Sequence, residues 1–108
     1  MQQGWLWLIA AGLAEIGFTA ALKLSQGFSQ LGYSLLFAVC AVLSFALLAR
    51  ATQQIALGTA YAVWTGIGAV GTALVGMVWF GEEASSGRLF FLALIVVAII
   101  GLRLSGKS

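Results

Sequence analysis

Four long apolar stretches alternate with three short polar ones along the chain. The apolar residues run through about 4–22, 31–48, 58–80 and 89–104. Five of the eight charged residues, and eight of the fourteen Gln and Ser, fall between them in 23–30, 49–57 and 81–88. The stretches hold 16 to 23 residues. As helices rising about 1.5 Å per residue they would reach roughly 24–35 Å, which matches a hydrocarbon core of about 30 Å. The pattern predicts an all-α membrane protein, a single domain over residues 1–108 made of four transmembrane helices with short connections. The start, Met1-Gln2-Gln3-Gly4, lacks the basic residues of a secretory signal peptide, so the first stretch is expected to remain a span. Trp5, Trp7, Tyr33 and Trp79 fall at the expected span ends, where amphipathic rings suit the interface.

Composition narrows the class further. Of 108 residues, 62% are hydrophobic and 7% charged, with a mean hydropathy of +1.09. A soluble domain carries about 25% charged residues, so a soluble monomer is excluded. The five basic residues are scattered singly and offer no cluster to follow a phosphate backbone, which excludes nucleic acid as a partner. Cys40 is the single cysteine and His is absent, so no disulfide, metal site or metal-borne cofactor is expected. No nucleophile–base pair suggests an enzyme, and no ring of charge or carbonyl filter suggests a channel.

Small residues recur through the third stretch at Gly58, Ala62, Gly66, Gly68, Ala69, Gly71, Ala73 and Gly76, a spacing that lets helix backbones approach closely in lipid. The fourth stretch carries no functional polar group and is expected to serve packing, as an interface between copies. If the N-terminus marks one side of the bilayer, that side also holds Arg50, Arg103 and Lys107, and the other holds Lys23 and Arg88. Three against two gives almost no positive-inside bias, which leaves two readings: an orientation set by context or a partner, or, the one favoured here, dual topology with antiparallel pairing.

Glu15 is the acid that falls inside a span. An ionised carboxylate at such depth costs about 2.5–3.5 kcal/mol on insertion scales, so it is expected to face a cavity or another helix. Desolvation disfavours its charged form, and a second copy nearby would disfavour it further. A carboxylate that gives up its charge readily can hold a proton or a cation, but not easily both. That is the requirement for proton-coupled cation exchange. Ala11, Gly12, Phe18, Thr19 and Leu22 share its helical face. Gly12 and Ala11 are expected to leave space beside the acid, and Phe18 to form an aromatic wall. Ser44 is a lone hydroxyl in the second span; Tyr61 and Trp64, three apart, share a face of the third. Acid, phenol, indole and hydroxyl together suit an organic cation.

From end to end the chain resembles the small multidrug resistance family. The resemblance rests on Ala14-Glu15 with Lys23 eight residues on, Gly27-Phe28-Ser29, Ser44-Phe45, and the stretch Gly58-Thr59-Ala60-Tyr61-Ala62-Val63-Trp64-Thr65-Gly66-Ile67-Gly68-Ala69. Trp-Thr-Gly-Ile-Gly-Ala within it, and Ile99-Ile100-Gly101-Leu102, look like the guanidinium-exporter branch. The resemblance implies an antiparallel homodimer in the bacterial inner membrane, exporting small guanidinium-type cations in exchange for protons by alternating access. Glu15 of each protomer would be the acid for which proton and substrate compete. Ser44, Tyr61 and Trp64 would be binding-site positions, Gly12 the small residue beside the acid, and Gly66 and Gly68 the place where the third helix bends. Phe18 stands where that branch usually has Trp, and no Pro precedes Gly58. Two alternatives stay open on these departures: export of hydrophobic quaternary ammoniums, and service as one half of a pair with a paralogous subunit. A helper subunit without transport would be told apart by tolerance of Glu15→Gln.

Overall fold

In the computed structural model, residues 2–105 are described. They form α1 (Gln2–Leu24), α2 (Leu31–Ala51), α3 (Leu57–Trp79) and α4 (Ser86–Leu104). All four are long and apolar enough to cross a membrane. Each helix satisfies its own backbone hydrogen bonds, which is what hydrocarbon demands of a spanning segment. The helices exceed the apolar stretches by up to three residues at an end. The largest extensions take in Ala49–Ala51 and Ser86–Arg88, because a helix is closed by its capping turn and not where hydropathy falls. Ser85 supplies one such cap, its Oγ accepting from the Arg88 amide at 3.2 Å. At the other end of α3, Gly81 turns through φ +68°, and the amides of Phe80 and Glu82 both donate to the Gly76 carbonyl.

The helices lie side by side in the order α2, α1, α3, α4. Their backbones contact one another along that row, with a short further contact between α2 and α3. The molecule measures 42 × 34 × 17 Å, so its thinnest dimension is less than two helix diameters of about 10 Å. Such a slab cannot enclose much. The core is a cluster at one end, where Trp5, Leu8 and Ala11 of α1 meet Ala51 at the end of α2, Ile55 beyond it, and Ala60, Val63 and Trp64 of α3. α4 contributes no buried residue. Trp5, at the start of α1, is 6% exposed inside this cluster, with the Arg103 guanidinium 4.9 Å above its ring. Arg50 covers Trp7 in the same way, at 4.9 Å. Lys107 of the charge count lies outside the described residues.

An apolar cleft of about 420 Å³ opens between Ile16, Gly17, Ala20 and Leu24 of α1 and Val75, Trp79 and Phe80.

Candidate functional site

Close packing of α1 on α3 places Glu15. Gly12 sits under Ile67, whose Cγ2 a Cβ at that position would meet at 2.6 Å. One turn on, Gly71 receives Ile16 so closely that a Cβ would overlap it. Between these contacts the Glu15 carboxylate lies directly on Gly68, where again no Cβ fits. The space expected beside the acid at Gly12 is therefore filled by Ile67. The glycine that makes room for the carboxylate is Gly68, on the facing helix. Glu15 Oε1 is buried and has no hydrogen-bond partner among the described residues. Buried carboxylate oxygens are nearly always paired, and this one has an accepting site left over that a donor group or a proton can fill.

The acid lines an open groove of about 530 Å³ with Thr19 of α1 and with Thr65, Gly68, Ala69, Thr72 and Ala73 of α3. Those α3 positions recur at three and four residues, one helix face of small and hydroxyl side chains. Thr19 Oγ1 donates to the Ile16 carbonyl at 2.9 Å and lies 2.6 Å from Thr72 Oγ1. Glu82 and Arg88 complete the groove's lining. The fold joins these two in an ion pair of 2.8 Å on the same groove as Glu15. The Thr65/Thr72 stripe was legible as spacing; the pairing was not, because it depends on how the α3–α4 connection turns back.

Ser44 and Trp64 come together away from the groove, in the core. Trp64 Nε1 donates to Ser44 Oγ at 2.9 Å, and Ser44 Oγ donates to the Ala11 carbonyl at 2.7 Å. Three helices are joined by this relay, which ends on α1 one turn before Glu15. Tyr61 packs its ring 5.7 Å from that of Trp64 but is 55% exposed. Tyr61, Thr65, Gly68 and Thr72 are spaced four, three and four apart, so Tyr61 stands on the stripe that borders the groove. Phe18 turns the other way. It meets Phe37 at 5.6 Å and Phe45 at 6.4 Å, within a row of rings running from Phe28 through Phe37, Phe18, Phe45 and Trp64 to Tyr61. The wall it was expected to supply beside the acid is thus part of the α1–α2 packing, and Phe18 does not line the groove. Gly66 faces α4, where a Cβ would meet Ile99 Cδ1 at 2.9 Å. α3 runs unbroken through both Gly66 and Gly68.

A thin row of four membrane-spanning helices, with a carboxylate held between two of them beside a groove, defines a small multi-pass membrane protein. The chain belongs to the small multidrug resistance family: the family's sequence profile, described as Small Multidrug Resistance protein, matches residues 3–95. The guanidinium exporter of Escherichia coli K12 is 52% identical over 101 residues, covering 94% of this chain and 96% of that protein. The guanidinium exporters of Salmonella typhimurium LT2 and Yersinia pseudotuberculosis serotype I are each 50% identical, covering 94% of this chain and 96% and 97% of their own lengths. The guanidinium-exporter branch recognised from Trp64–Ala69 is the one to which these relatives belong.

Proposed function

We propose that the protein is a proton-coupled antiporter that exports guanidinium and small substituted guanidinium cations across the bacterial inner membrane. Family membership and relatives named as guanidinium exporters support the substrate. The observation that carries the coupling is the Glu15 carboxylate, set on Gly68 with one buried oxygen unpartnered. Guanidinium keeps its charge at physiological pH and presents N–H donors in a planar fork, which a carboxylate accepts best through both oxygens. A protonated Glu15 has lost both the charge and half the accepting capacity. Proton and guanidinium therefore exclude one another at this group, and carrying one in requires carrying the other out.

Ser44 and Trp64 act as positioning residues, fixing the α1 turn that precedes the acid. Tyr61 borders the groove with its hydroxyl free to orient a cation. A single slab leaves the groove open on one side, and α4 has no residue buried within the chain. A second copy related by antiparallel pairing would close the groove and bring a second Glu15 to it. The near-even distribution of basic residues between the two sides is compatible with insertion in both orientations. Alternating access would come from α3 bending where Gly66 and Gly68 leave it thinnest.

The test is substrate-evoked current in proteoliposomes of this protein alone, with guanidinium, methylguanidinium, guanylurea and a tetraalkylammonium compared. Guanidinium-type currents that vanish in Glu15→Gln are the expected result. Current from the tetraalkylammonium alone would move the substrate to hydrophobic quaternary ammoniums, and surviving coupled current in Glu15→Gln would remove the acid from the mechanism. Silence from folded protein would indicate a paralogous partner.

A further inference from the structure

Two carboxylates in this chain lie on glycines of α3: Glu15 on Gly68 and Glu82 on Gly76. The glycines are eight residues apart, about 12 Å along the helix, and both acids line the same groove. Glu82 belongs to the connection after α3, yet its carboxylate is not loose. The left-handed turn at Gly81 and the Glu82 amide's bond of 3.0 Å to the Gly76 carbonyl throw it back over the last turn of α3. What it holds there is a guanidinium. Arg88 Nη2 donates to Glu82 Oε1 at 2.8 Å, while Nη1 donates to the Glu83 carbonyl at 3.1 Å. Arg88 thus meets Glu82 through one carboxylate oxygen, its second nitrogen being occupied elsewhere. A free guanidinium could meet both oxygens at once, the stronger arrangement.

We propose that Glu82 is a second, outer guanidinium-binding site at the mouth of the groove, with the side chain of Arg88 as a tethered competitor that the entering cation displaces. The inference deepens the reading of the protein as a guanidinium exporter and rests on it. Its physical logic is that of any conduction path: a site on the way must attract the cation yet release it. The Arg88 guanidinium, present at a high effective concentration because it is tethered, keeps the outer site weak, so that cations are handed on to Glu15. Glu82 and Arg88 are partly exposed, at 43% and 35% of their side chains, as exchange with solvent requires.

The experiment measures binding of guanidinium chloride, by calorimetry, to purified protein in lipid nanodiscs. Glu15→Gln removes the inner site. Adding Arg88→Gln to it should restore a weak isotherm, in the millimolar range, that Glu15→Gln alone lacks. Further addition of Glu82→Gln should abolish that isotherm, whereas Glu83→Gln, on the same connection but outside the groove, should leave it. With Glu15 intact, Glu82→Gln should raise the guanidinium concentration for half-maximal current several-fold, and Glu82→Asp should recover part of the loss. The absence of restored binding in a folded Glu15→Gln/Arg88→Gln protein, or half-saturation unmoved by Glu82→Gln, would overturn the outer site while leaving guanidinium export intact. A wild-type protein that binds and carries no guanidinium would overturn both.

Discussion

The relay from Trp64 through Ser44 to Ala11 offers the sharpest test of how the acid is positioned. Ser44 is fully buried and Trp64 is 5% exposed, so no water stands ready to replace a lost partner. Ser44→Ala removes the acceptor of the indole N–H and leaves that donor orphaned. In water-soluble proteins such an orphan costs about 1–3 kcal/mol. Trp64→Phe removes the donor instead. Ser44 then keeps its bond to the Ala11 carbonyl, and the loss is one of ring area and shape. The double variant has no orphan, so its destabilisation should fall short of the sum of the two single ones. Hydrogen bonds between helices in membranes couple by about 0.6 kcal/mol on average and up to about 1.7 kcal/mol. The shortfall should therefore be about threefold to eighteenfold in the unfolding equilibrium constant. Reversible unfolding in mixed detergent micelles, followed by far-ultraviolet circular dichroism, measures all four proteins. Additivity within about 0.3 kcal/mol would refute the bond and the positioning role built on it. Trp64→Ala is the wrong probe, because emptying a buried Trp site costs about 3–5 kcal/mol whatever its role in binding.

Gly68→Ala should push the Glu15 carboxylate off its seat and lower guanidinium current by about 10²-fold, the usual penalty for misplacing a reacting group by an ångström. Unchanged current in Gly68→Ala would show that the carboxylate works from another position. If one proton or one cation occupies each carboxylate, as proposed, acidification should weaken guanidinium binding. The half-saturating concentration should rise toward about tenfold per pH unit for each proton displaced, and Glu15→Asp should shift this profile. A half-saturation that is flat with pH would separate the proton site from the substrate site.

The four spans were legible because hydropathy is additive along the chain and a helix satisfies its backbone groups by itself. Glu15 was legible because the penalty for a charge depends on its depth in a span, which counting residues gives directly. Ser44, Tyr61 and Trp64 were found as polar or aromatic residues out of place in an apolar segment. Their arrangement was not. That Trp64 gives its hydrogen bond to Ser44 in the core while Tyr61 faces outward follows from the rotation of α3 against its neighbours.

What the sequence alone determined is therefore the number of helices, their lengths, and the presence of a single acid in mid-membrane. The tertiary structure decided which glycine serves which purpose: Gly12 to admit Ile67, Gly66 to admit Ile99, and Gly68 to seat the acid. It also sent Phe18 toward α2, Trp5 into the core, and Glu82 with Arg88 onto the groove of Glu15. The reason lies in the solvent. In water a polar face tells which side of a helix points outward; in hydrocarbon both sides are apolar, and helix rotation is set by close contacts between residues distant in the chain.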